Sequence, residues 1–459
     1  MAGCRRAYPP SARRSGFAWS RCSTSSRASH PSSAPAVNQP QDLPEAAGEN
    51  DPAEELSRFQ RSIVSLRYVP FRLFWASNLV LAVGMMVQFT ARGWLTVQLT
   101  DSALVLGAVE GVFGVTFALC SIPVGILADR RNRRNLLIAG DSMALVAVVI
   151  VGVLVATDAI EIWHVLVASA FGGVLFALRI PTGQAMTARL VPPAHMMNAI
   201  SLNQIAHSLP NVAGPAAGGV LIAVVGIAGA YFVTTGAFVL GLLMMFGVAA
   251  SFGSIDRTNV KSVREDLLEA VNYVLAHRDL LALTAAMLIP FILGQSYVLL
   301  LALFVEKELG LGPEAFGALS ASLGLGAVVG GMAVATFGEE RQIGVIMFVG
   351  ILATGVAAIV YGLSHSVFLT AGVLFVGGAG QSALFAAYDT LLLIRLPDEM
   401  RGRVMGLMFT LVALFPIGAA VAGAVADQVG LRTVAIAEGV VIISMASVAW
   451  KVVLSRTSA

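Results

Sequence analysis

The chain has 459 residues, of which 57% are hydrophobic and only 12% are charged, and its formal net charge is +2. An average globular chain carries about 25% charged residues, so this chain has too few charges to cover the surface of a soluble protein. Together with its mean hydropathy of +0.81, this excludes an ordinary soluble enzyme, a nucleic-acid-binding protein and a disordered protein. We expect a protein that crosses a membrane many times. Its three cysteines indicate neither a disulfide framework nor a metal cluster.

Residues 1–65 differ in composition from the rest of the chain. The first 41 are rich in Ser, Arg, Ala and Pro, include six Arg and contain no acidic residue, whereas residues 42–55 are acidic. Arginine and serine without acids are typical of an organellar transit peptide. The alternatives are a disordered cytosolic tail and a gene start assigned too far upstream. In each case we expect a disordered leader outside the fold.

Twelve apolar runs follow, each long enough to cross a bilayer core of about 30 Å as a helix. They lie at about 73–98, 104–128, 135–157, 161–186, 198–224, 228–250, 280–305, 314–337, 343–363, 367–393, 403–427 and 432–454. Buried helices of a soluble protein do not occur twelve in succession with short connections. The sequence therefore predicts an all-α membrane protein with twelve transmembrane spans.

Lysine and arginine placement predicts the orientation, because cytoplasmic loops carry an excess of these residues. The loops after even-numbered spans hold most of the bases, and the loops after odd-numbered spans hold little beyond Lys307 and Arg432. We therefore expect both termini on the cytoplasmic side of the cell membrane. The longest loop, 251–279, contains apolar residues at helical spacing and is predicted to lie as an amphipathic helix on the cytoplasmic face.

The halves on either side of this loop, 66–250 and 280–455, resemble each other. The segment that begins at Pro192 aligns without gaps on the segment that begins at Pro397, at an offset of 205. Earlier in the halves the offset is 210, which matches Gly107 with Gly317 and Gly114 with Gly324. A duplication predicts two similar six-helix bundles joined by the linker 251–279.

The loop between spans two and three reads GILADRRNRR. Its aspartate can bind a helix N-terminus or a buried arginine, and its arginines anchor at anionic head groups. The loop resembles a signature of the major facilitator superfamily, and we interpret it as a gating loop. The matching residues are Gly125, Asp129, Arg130, Arg133 and Arg134. Asn132 replaces the second glycine of that signature, a change we expect to be tolerated because asparagine also adopts left-handed dihedrals.

Span five contains GPAAGG, in which Pro215 removes a backbone donor and the glycines permit close helix contact. Pro210 and Asn211 stand one turn earlier, so we expect a strongly bent span. The string resembles the core of a motif that antiporters of the superfamily, mostly drug exporters, carry in this span. The matching residues are Gly214, Pro215, Gly218 and Gly219. Pro210 and Ser201 stand where the full motif has further glycines.

In the superfamily, spans five and eight meet across the two halves. Span eight offers small residues for such a contact: Gly324, Gly326, Gly330 and Gly331. The stretches TARLVPPAHMMNAISLNQ and LIRLPDEMRGRVMGL resemble the subfamily of the bacterial enterobactin exporter and macrolide efflux proteins, and the resemblance covers about residues 65–450.

The resemblance implies two six-helix bundles that rock around a midplane site. The sequence has no phosphate loop, no nucleotide-binding domain and no cluster with metal-ligand spacing, so we expect a secondary transporter with no cofactor and no enzymatic activity. We expect a proton-coupled exporter of a lipophilic or amphipathic molecule such as a drug or siderophore. Its partners would be that small molecule, protons and the lipid bilayer, without nucleic acid. An importer or facilitator of the same fold is the nearest alternative, and a non-transporting membrane receptor is a more distant one.

Ionisable residues inside a bilayer are costly and are candidates for function. Arg92 in span one and Glu110 in span two are equally far from the turn that joins the spans, which predicts an ion pair, or a proton site at Glu110. Asp141 and Arg179 are predicted to pair with each other or with Asp129, as gating contacts that hold one conformation.

Further polar residues inside the spans complete the predicted site. Asp389 and Glu438 are candidates for a second protonation site. Uncharged polar side chains must face a partner or water, never lipid, so each either bonds to a neighbouring helix or lines a central cavity. The cavity candidates are Asn203, His207, Asn211, Gln295, Tyr297 and Gln381.

Overall fold

The structure, a computed structural model, describes residues 63–249, 263–338, 342–412 and 415–454. Within these ranges the chain is helical and contains no strand. Ten segments are long and apolar enough to cross a membrane. The predicted leader, apart from its last residues, and the first part of the linker lie outside the described ranges.

The helices of the described ranges form twelve spans, because one of the ten segments, Pro193–Phe246, contains two spans and Leu431–Leu454 adds the last one. Their bounds are Val69–Leu99, Ala103–Arg130, Arg133–Ala156 and Ile162–Leu190 for spans 1 to 4, Met196–Phe246 for spans 5 and 6, Arg278–Leu299 continued by Leu301–Lys307 for span 7, and Pro313–Phe337, Ile343–Leu363 and Val367–Arg395 for spans 8 to 10; Asp398–Val412 and Phe415–Val429 form span 11, and Leu431–Leu454 forms span 12. The predicted all-α fold with twelve spans is confirmed.

Spans 5 and 6 meet at Gly226. At 1.5 Å per residue, the 54 residues of Pro193–Phe246 would extend about 80 Å as one helix, more than twice the thickness of a bilayer core. Gly226 interrupts this run with φ 73° and ψ 175°, a conformation that is essentially restricted to glycine. Pro210 and Pro215 lie inside the helix before the break. The chain therefore turns at Gly226, between the predicted spans.

Asn132 begins span 3 in a way that differs from the prediction. Its backbone is extended, with φ −60° and ψ 116°, so no left-handed conformation is used. Its side-chain Oδ1 accepts a hydrogen bond of 3.2 Å from the backbone N–H of Asn135. Asparagine is suited to this position because its carbonyl satisfies a backbone donor of the first helical turn.

The glycine contacts between the two halves follow the repeat. Spans 2 and 8 are related by the offset of 210, and spans 5 and 11 are related by the offset of 205. Glycines of spans 2 and 8 pack against equivalent positions of spans 11 and 5. These contacts are Gly107 with Ala420, Gly317 with Pro215, Gly114 with Pro416, and Gly324 with Asn211. The two interfaces between the halves therefore use positions that the predicted repeat relates to each other.

The GPAAGG segment of span 5 packs in two directions. A Cβ on Gly219 would lie 2.6 Å from the Pro313 carbonyl oxygen and 2.7 Å from the Gly317 Cα, so the backbones of spans 5 and 8 are in contact. Gly214 and Gly218 instead face span 1, where a Cβ on Gly218 would lie 3.0 Å from the Thr90 Cβ. The segment thus holds span 5 against two neighbours.

The small surface predicted on span 8 divides between two partners. Gly324 contacts span 5, as expected. The prediction was wrong for Gly326, Gly330 and Gly331, which face Phe375, Ala379 and Ser382 of span 10. Glycines occur on both faces of this helix, and their spacing does not distinguish the two neighbours.

The two ends of the helix bundle differ. We call the end formed by the loops after even-numbered spans the basic end, and the other the opposite end. At the opposite end, one apolar core joins both halves, with Leu106 of span 2, Phe304 of span 7 and Ala426 of span 11 among its members. At the basic end each half has its own core, around Phe74 in the first and Met347 in the second. The halves are therefore joined at the opposite end and packed separately at the basic end.

Polar contacts also join the halves at the opposite end. The Asp427 carboxylate, in span 11, accepts from the backbone N–H groups of Ala103 and Leu104 at 2.7 and 3.1 Å. It also accepts from the Ser102 hydroxyl at 2.6 Å. Lys307 Nζ lies 3.2 Å from Asp101 Oδ1. A residue of the second half thus caps span 2 of the first.

The predicted amphipathic helix is present as Val263–Ala276. Ala270 and Val274 are buried against the basic-end core of the second half, whereas Leu268 and Leu275 are exposed. Glu269 Oε1 lies 2.6 Å from Arg403 Nη1 at the start of span 11. The helix is therefore fixed to the second half, and its location on the cytoplasmic face stays a prediction.

Candidate functional site

Two adjoining cavities lie among the spans of the first half. The polar cavity has a volume of about 500 Å³ and the aromatic cavity about 290 Å³. They share the lining residues Met85, Met86, Phe176 and Arg179. Ligand pockets for drug-sized molecules are typically about 300–1,000 Å³, so the pair is large enough for a small organic molecule.

The polar cavity is lined by side chains that both donate and accept hydrogen bonds. They come from the parts of spans 1, 4 and 5 nearest the basic end: Asn78, Gln184, Thr187, Asn203, Gln204 and Asn211. Asn203 Nδ2 donates to Thr187 Oγ1 at 2.5 Å, which joins spans 5 and 4. Asn203 and Asn211 therefore line a cavity, as the sequence predicts for them.

The aromatic cavity is deeper along the spans and is surrounded by phenylalanine rings. Span 11 of the second half contributes one of them, and the set is Phe89, Phe113, Phe117, Phe171, Phe176, Phe238 and Phe415. The Phe176 ring centroid lies 5.7 Å from that of Phe113 and 5.4 Å from that of Phe117, with tilted or edge-on rings. Such faces bind apolar and aromatic surfaces.

Arg92 and Glu110 form an ion pair beside the aromatic cavity. Arg92 Nη2 lies 2.7 Å from Glu110 Oε2, and the two residues are only 8% and 3% exposed. The Arg92 guanidinium carbon also lies 5.1 Å from the Phe89 ring centroid and 5.2 Å from that of Phe113, within cation–π range. Arg92 lines the cavity and Glu110 does not. The geometry agrees with the expected ion pair, and proton binding at Glu110 stays a prediction.

Arg179, Asp141 and Asn78 form a second polar group on the wall of the cavities. Arg179 donates to Asp141 Oδ1 through Nη1 and to Asn78 Oδ1 through Nη2, the latter at 2.8 Å. Arg179 and Asp141 thus pair with each other, which is one of the two predicted arrangements. The group joins spans 4, 3 and 1, and a gating role for it stays a prediction.

The predicted gating loop is described in part. Arg133 begins span 3, and Arg134 Nη2 donates to the carbonyl oxygen of Phe246 at 2.8 Å, which ties the loop to the end of span 6. The side chains of Gly125, Asp129 and Arg130 lie outside what the structure describes. The role of the loop therefore stays a prediction.

The cavity candidates of the second half lie apart from the polar and aromatic cavities. Gln295, Tyr297 and Gln381 are not among the described residues that line the polar and aromatic cavities. Gln381 Nε2 donates to the Phe291 carbonyl oxygen at 3.3 Å, and the Tyr297 ring packs 5.1 Å from that of Tyr361. A polar residue in a span is satisfied equally by a neighbouring helix, and a place in the transport cavity stays a prediction for these three.

Two further candidates have separate outcomes. Asp389 lines a cavity of only about 10 Å³ with methionine and phenylalanine side chains of spans 7, 10 and 11, apart from Arg92 and Arg179. The His207 side chain lies outside the described part of the chain.

The rings of the aromatic cavity were missed by the sequence analysis. The spacing of Phe113 and Phe117, one helical turn apart, is the signal that indicates a shared face.

Comparisons with known proteins identify the family. The sequence profile of the family described as transmembrane secretion effector matches residues 61–459. The multidrug efflux pump Tap of Mycolicibacterium fortuitum is 24% identical over 380 residues, which are 79% of this chain and 90% of Tap. The multidrug resistance protein MdtG of Salmonella paratyphi C is 25% identical over 303 residues, 64% of this chain and 72% of MdtG.

Solved structures of transporters share the fold. A bacterial homolog of the human lysosomal transporter Spinster, in an inward-facing and unoccupied conformation, matches with a TM-score of 0.64 and 16% identity over 86% of this chain and 98% of its own. The nucleoside transporter NupG matches with a TM-score of 0.66 and 12% identity over 84% and 98%. Since the matched profile covers nearly all of the chain outside its leader, this protein belongs to the transmembrane secretion effector family of major facilitator superfamily transporters.

Proposed function

We propose that this transporter is a proton-coupled exporter of small lipophilic or amphipathic molecules that works by alternating access. The observation that carries the proposal is the aromatic cavity. The buried guanidinium of Arg92 lines this cavity, and its counter-ion Glu110 lies next to Arg92 but outside the cavity lining. The names of the relatives, a multidrug efflux pump and a multidrug resistance protein, support the same direction of transport.

The two cavities together suit an amphipathic molecule. An aromatic or aliphatic part would pack against the phenylalanine rings, and a polar part would bond to the amides of the polar cavity, such as Asn203 and Asn211. The positive charge of Arg92 is already balanced by its neighbour Glu110. We therefore expect uncharged and weakly anionic aromatic molecules to bind better than cations.

A groove on the outer surface of spans 3 and 4 supports a lipophilic substrate. It has a volume of about 430 Å³ and is lined by Ser142, Met143, Val146, Ala147, Ile150 and Phe171. Ala147 and Phe171 also line the aromatic cavity, so these two side chains separate that cavity from the groove. A molecule dissolved in the lipid would reach the aromatic cavity by displacing the Phe171 ring.

Proton coupling would act through the ion pair. Protonation of Glu110 removes the charge that balances Arg92 and leaves a net positive charge beside the cavity. One elementary charge crossing the membrane is worth about 2.3 kcal/mol per 100 mV. At 1.4 kcal/mol per tenfold change, this corresponds to a roughly 40-fold solute gradient, which is sufficient for extrusion of a dilute compound.

The conformation supports access from one side at a time. The shared core and the Asp427 contacts join the halves at the opposite end. The residues that line the polar cavity lie in the parts of the spans nearest the basic end. If the basic end is cytoplasmic, as lysine and arginine placement predicts, the structure is the state that accepts substrate from the cell. Release would require the contacts at the opposite end to separate.

The test is transport of neutral, anionic and cationic lipophilic dyes in proteoliposomes of defined sidedness. A proton gradient that runs opposite to the dye should drive its movement from the basic end to the opposite end, and Glu110→Gln should abolish this coupling. Glu314→Gln, the same change at an exposed position, serves as the control. Dye movement in the reverse direction would instead show the importer. Dye movement by the unmodified protein that does not depend on the pH gradient would overturn proton coupling.

A further inference from the structure

Glu438 is a buried acid that the proposed transport site does not use. It lies in span 12, is 7% exposed, and has no base within ion-pair distance among the described residues. Its Oε2 atom has no hydrogen-bond partner in the described structure, and neither has the hydroxyl of Tyr361, which lines the same small cavity. An ionised carboxylate without a counter-ion is costly in such surroundings.

The hydrogen bonds of Ser296 can accommodate a proton on Glu438. Ser296 Oγ, in span 7, is bonded both to the Leu293 carbonyl oxygen, at 2.7 Å, and to Glu438 Oε1. A serine hydroxyl has one hydrogen, and a carbonyl oxygen can only accept. The hydroxyl therefore donates to one of the two oxygens at a time, and with an uncharged acid beside it, it bonds back to the preceding helical turn. The contact with Glu438 then needs a hydrogen from the glutamic acid itself.

Neighbouring groups leave this assignment intact. Span 12 packs against spans 7, 9 and 11. Spans 7 and 9 present the neutral hydroxyls of Tyr297 and Tyr361 to the small cavity that Glu438 lines. Asp427, the acid in the second part of span 11, is bound to the start of span 2. Arg432, earlier in span 12, is paired with Glu308 at 2.5 Å. The described surroundings therefore supply no unpaired positive charge that would favour the ionised form.

The small cavity lies on the side of Glu438 that faces the opposite end. It has a volume of about 10 Å³, the lower limit for a single water molecule. Its lining includes Glu438 and Tyr361, and also Leu431, the first residue of span 12 at the opposite end. A water there would bond to the two side-chain oxygens that otherwise lack partners.

We propose that Glu438 is a proton-binding site of the second half, occupied in this conformation, which exchanges its proton with the opposite end through that water. On release, the carboxylic acid transfers its proton to the water and becomes a carboxylate. The Ser296 hydroxyl then turns from the Leu293 carbonyl to the carboxylate, which alters the contact between spans 7 and 12. Occupancy itself is independent of export, whereas use of this proton in coupling rests on the proposed function.

Infrared spectroscopy of the reconstituted protein at neutral pH tests the assignment. A protonated carboxylic acid has a carbonyl stretching band that shifts in heavy water, and we expect Glu438→Gln to lose one such band while Glu314→Gln keeps it. In Ser296→Ala the band should remain at a changed frequency, and this variant decides the question if Glu438→Gln does not fold. A spectrum that neither change alters would overturn the proposal.

Transport measurements separate this site from the proposed function. We expect Glu438→Gln, which imitates the protonated acid, to lose the part of the pH dependence of transport that Glu438 contributes. If the infrared band is lost but transport by the unmodified protein ignores pH, the proton site stands and proton-coupled export fails. If transport is proton-coupled but the band is unaffected by Glu438→Gln, export stands and the Glu438 site fails.

Discussion

The ion pair between Arg92 and Glu110 allows a quantitative test of the site. Glu110→Gln leaves a guanidinium that is 8% exposed without its counter-ion. Removing one partner of a buried pair costs about 3–5 kcal/mol. The Phe89 and Phe113 rings lie within cation–π distance of this guanidinium both before and after the substitution, so they do not change the difference. We therefore expect the free energy of unfolding to fall by about 3–5 kcal/mol.

A double-mutant cycle isolates the pair from other effects of the substitutions. Arg92→Met alone leaves the Glu110 carboxylate buried and unpaired, so it should cost a similar amount, whereas Arg92→Met with Glu110→Gln removes both charges. The double variant should therefore cost less than the sum of the single variants, by about 1–3 kcal/mol. The assay is reversible denaturation in mixed micelles at neutral pH. Single variants that cost less than about 1 kcal/mol each and add in the double variant would refute the reasoning.

Two further predictions concern the closed opposite end. Asp427→Asn removes the charge that caps span 2, a contribution of about 1 kcal/mol. Labelling of Gln88→Cys in the aromatic cavity by an impermeant reagent added at the opposite end should therefore become roughly five times faster. An unchanged rate would show that the cap does not hold that end closed. Gly317→Ala places a Cβ 2.6 Å from the Pro215 carbonyl oxygen, so it should also make this labelling faster. Gly372→Ala is the control, because a Cβ at that position has open space around it and should leave the rate unchanged. Equal labelling rates in the two variants would contradict the contact between spans 5 and 8.

The course of the chain was predictable because its signals are local. A transmembrane helix must be continuously apolar, so the spans are readable as runs, and the break that Gly226 makes falls between the predicted spans 5 and 6. The repeat was also readable, because a duplication leaves equivalent residues at a constant offset. Gly107 and Gly317 show this, since each packs against the equivalent span of the other half.

The cavity was less predictable because these helices are apolar on most faces. Periodicity then does not say which side faces a neighbour, so the rings around Phe176 were missed, and it does not show that Gln381 bonds to another span. Asp427 illustrates a second difficulty. Its partner Ser102 is 325 positions away, and no local pattern indicates such a contact.

The central claim is that the two halves open alternately at their two ends. The most direct measurement is the distance between spin labels in a cysteine-free background, in which Cys4, Cys22 and Cys120 are replaced by serine. One labelled pair, Ala159→Cys with His365→Cys, reports the opposite end, and a second, Ala194→Cys with Glu399→Cys, reports the basic end; all four positions are exposed. On acidification from the opposite end together with a transported dye, the first distance should lengthen while the second shortens. Distances that stay fixed, or that change in the same direction at both ends, would contradict alternating access.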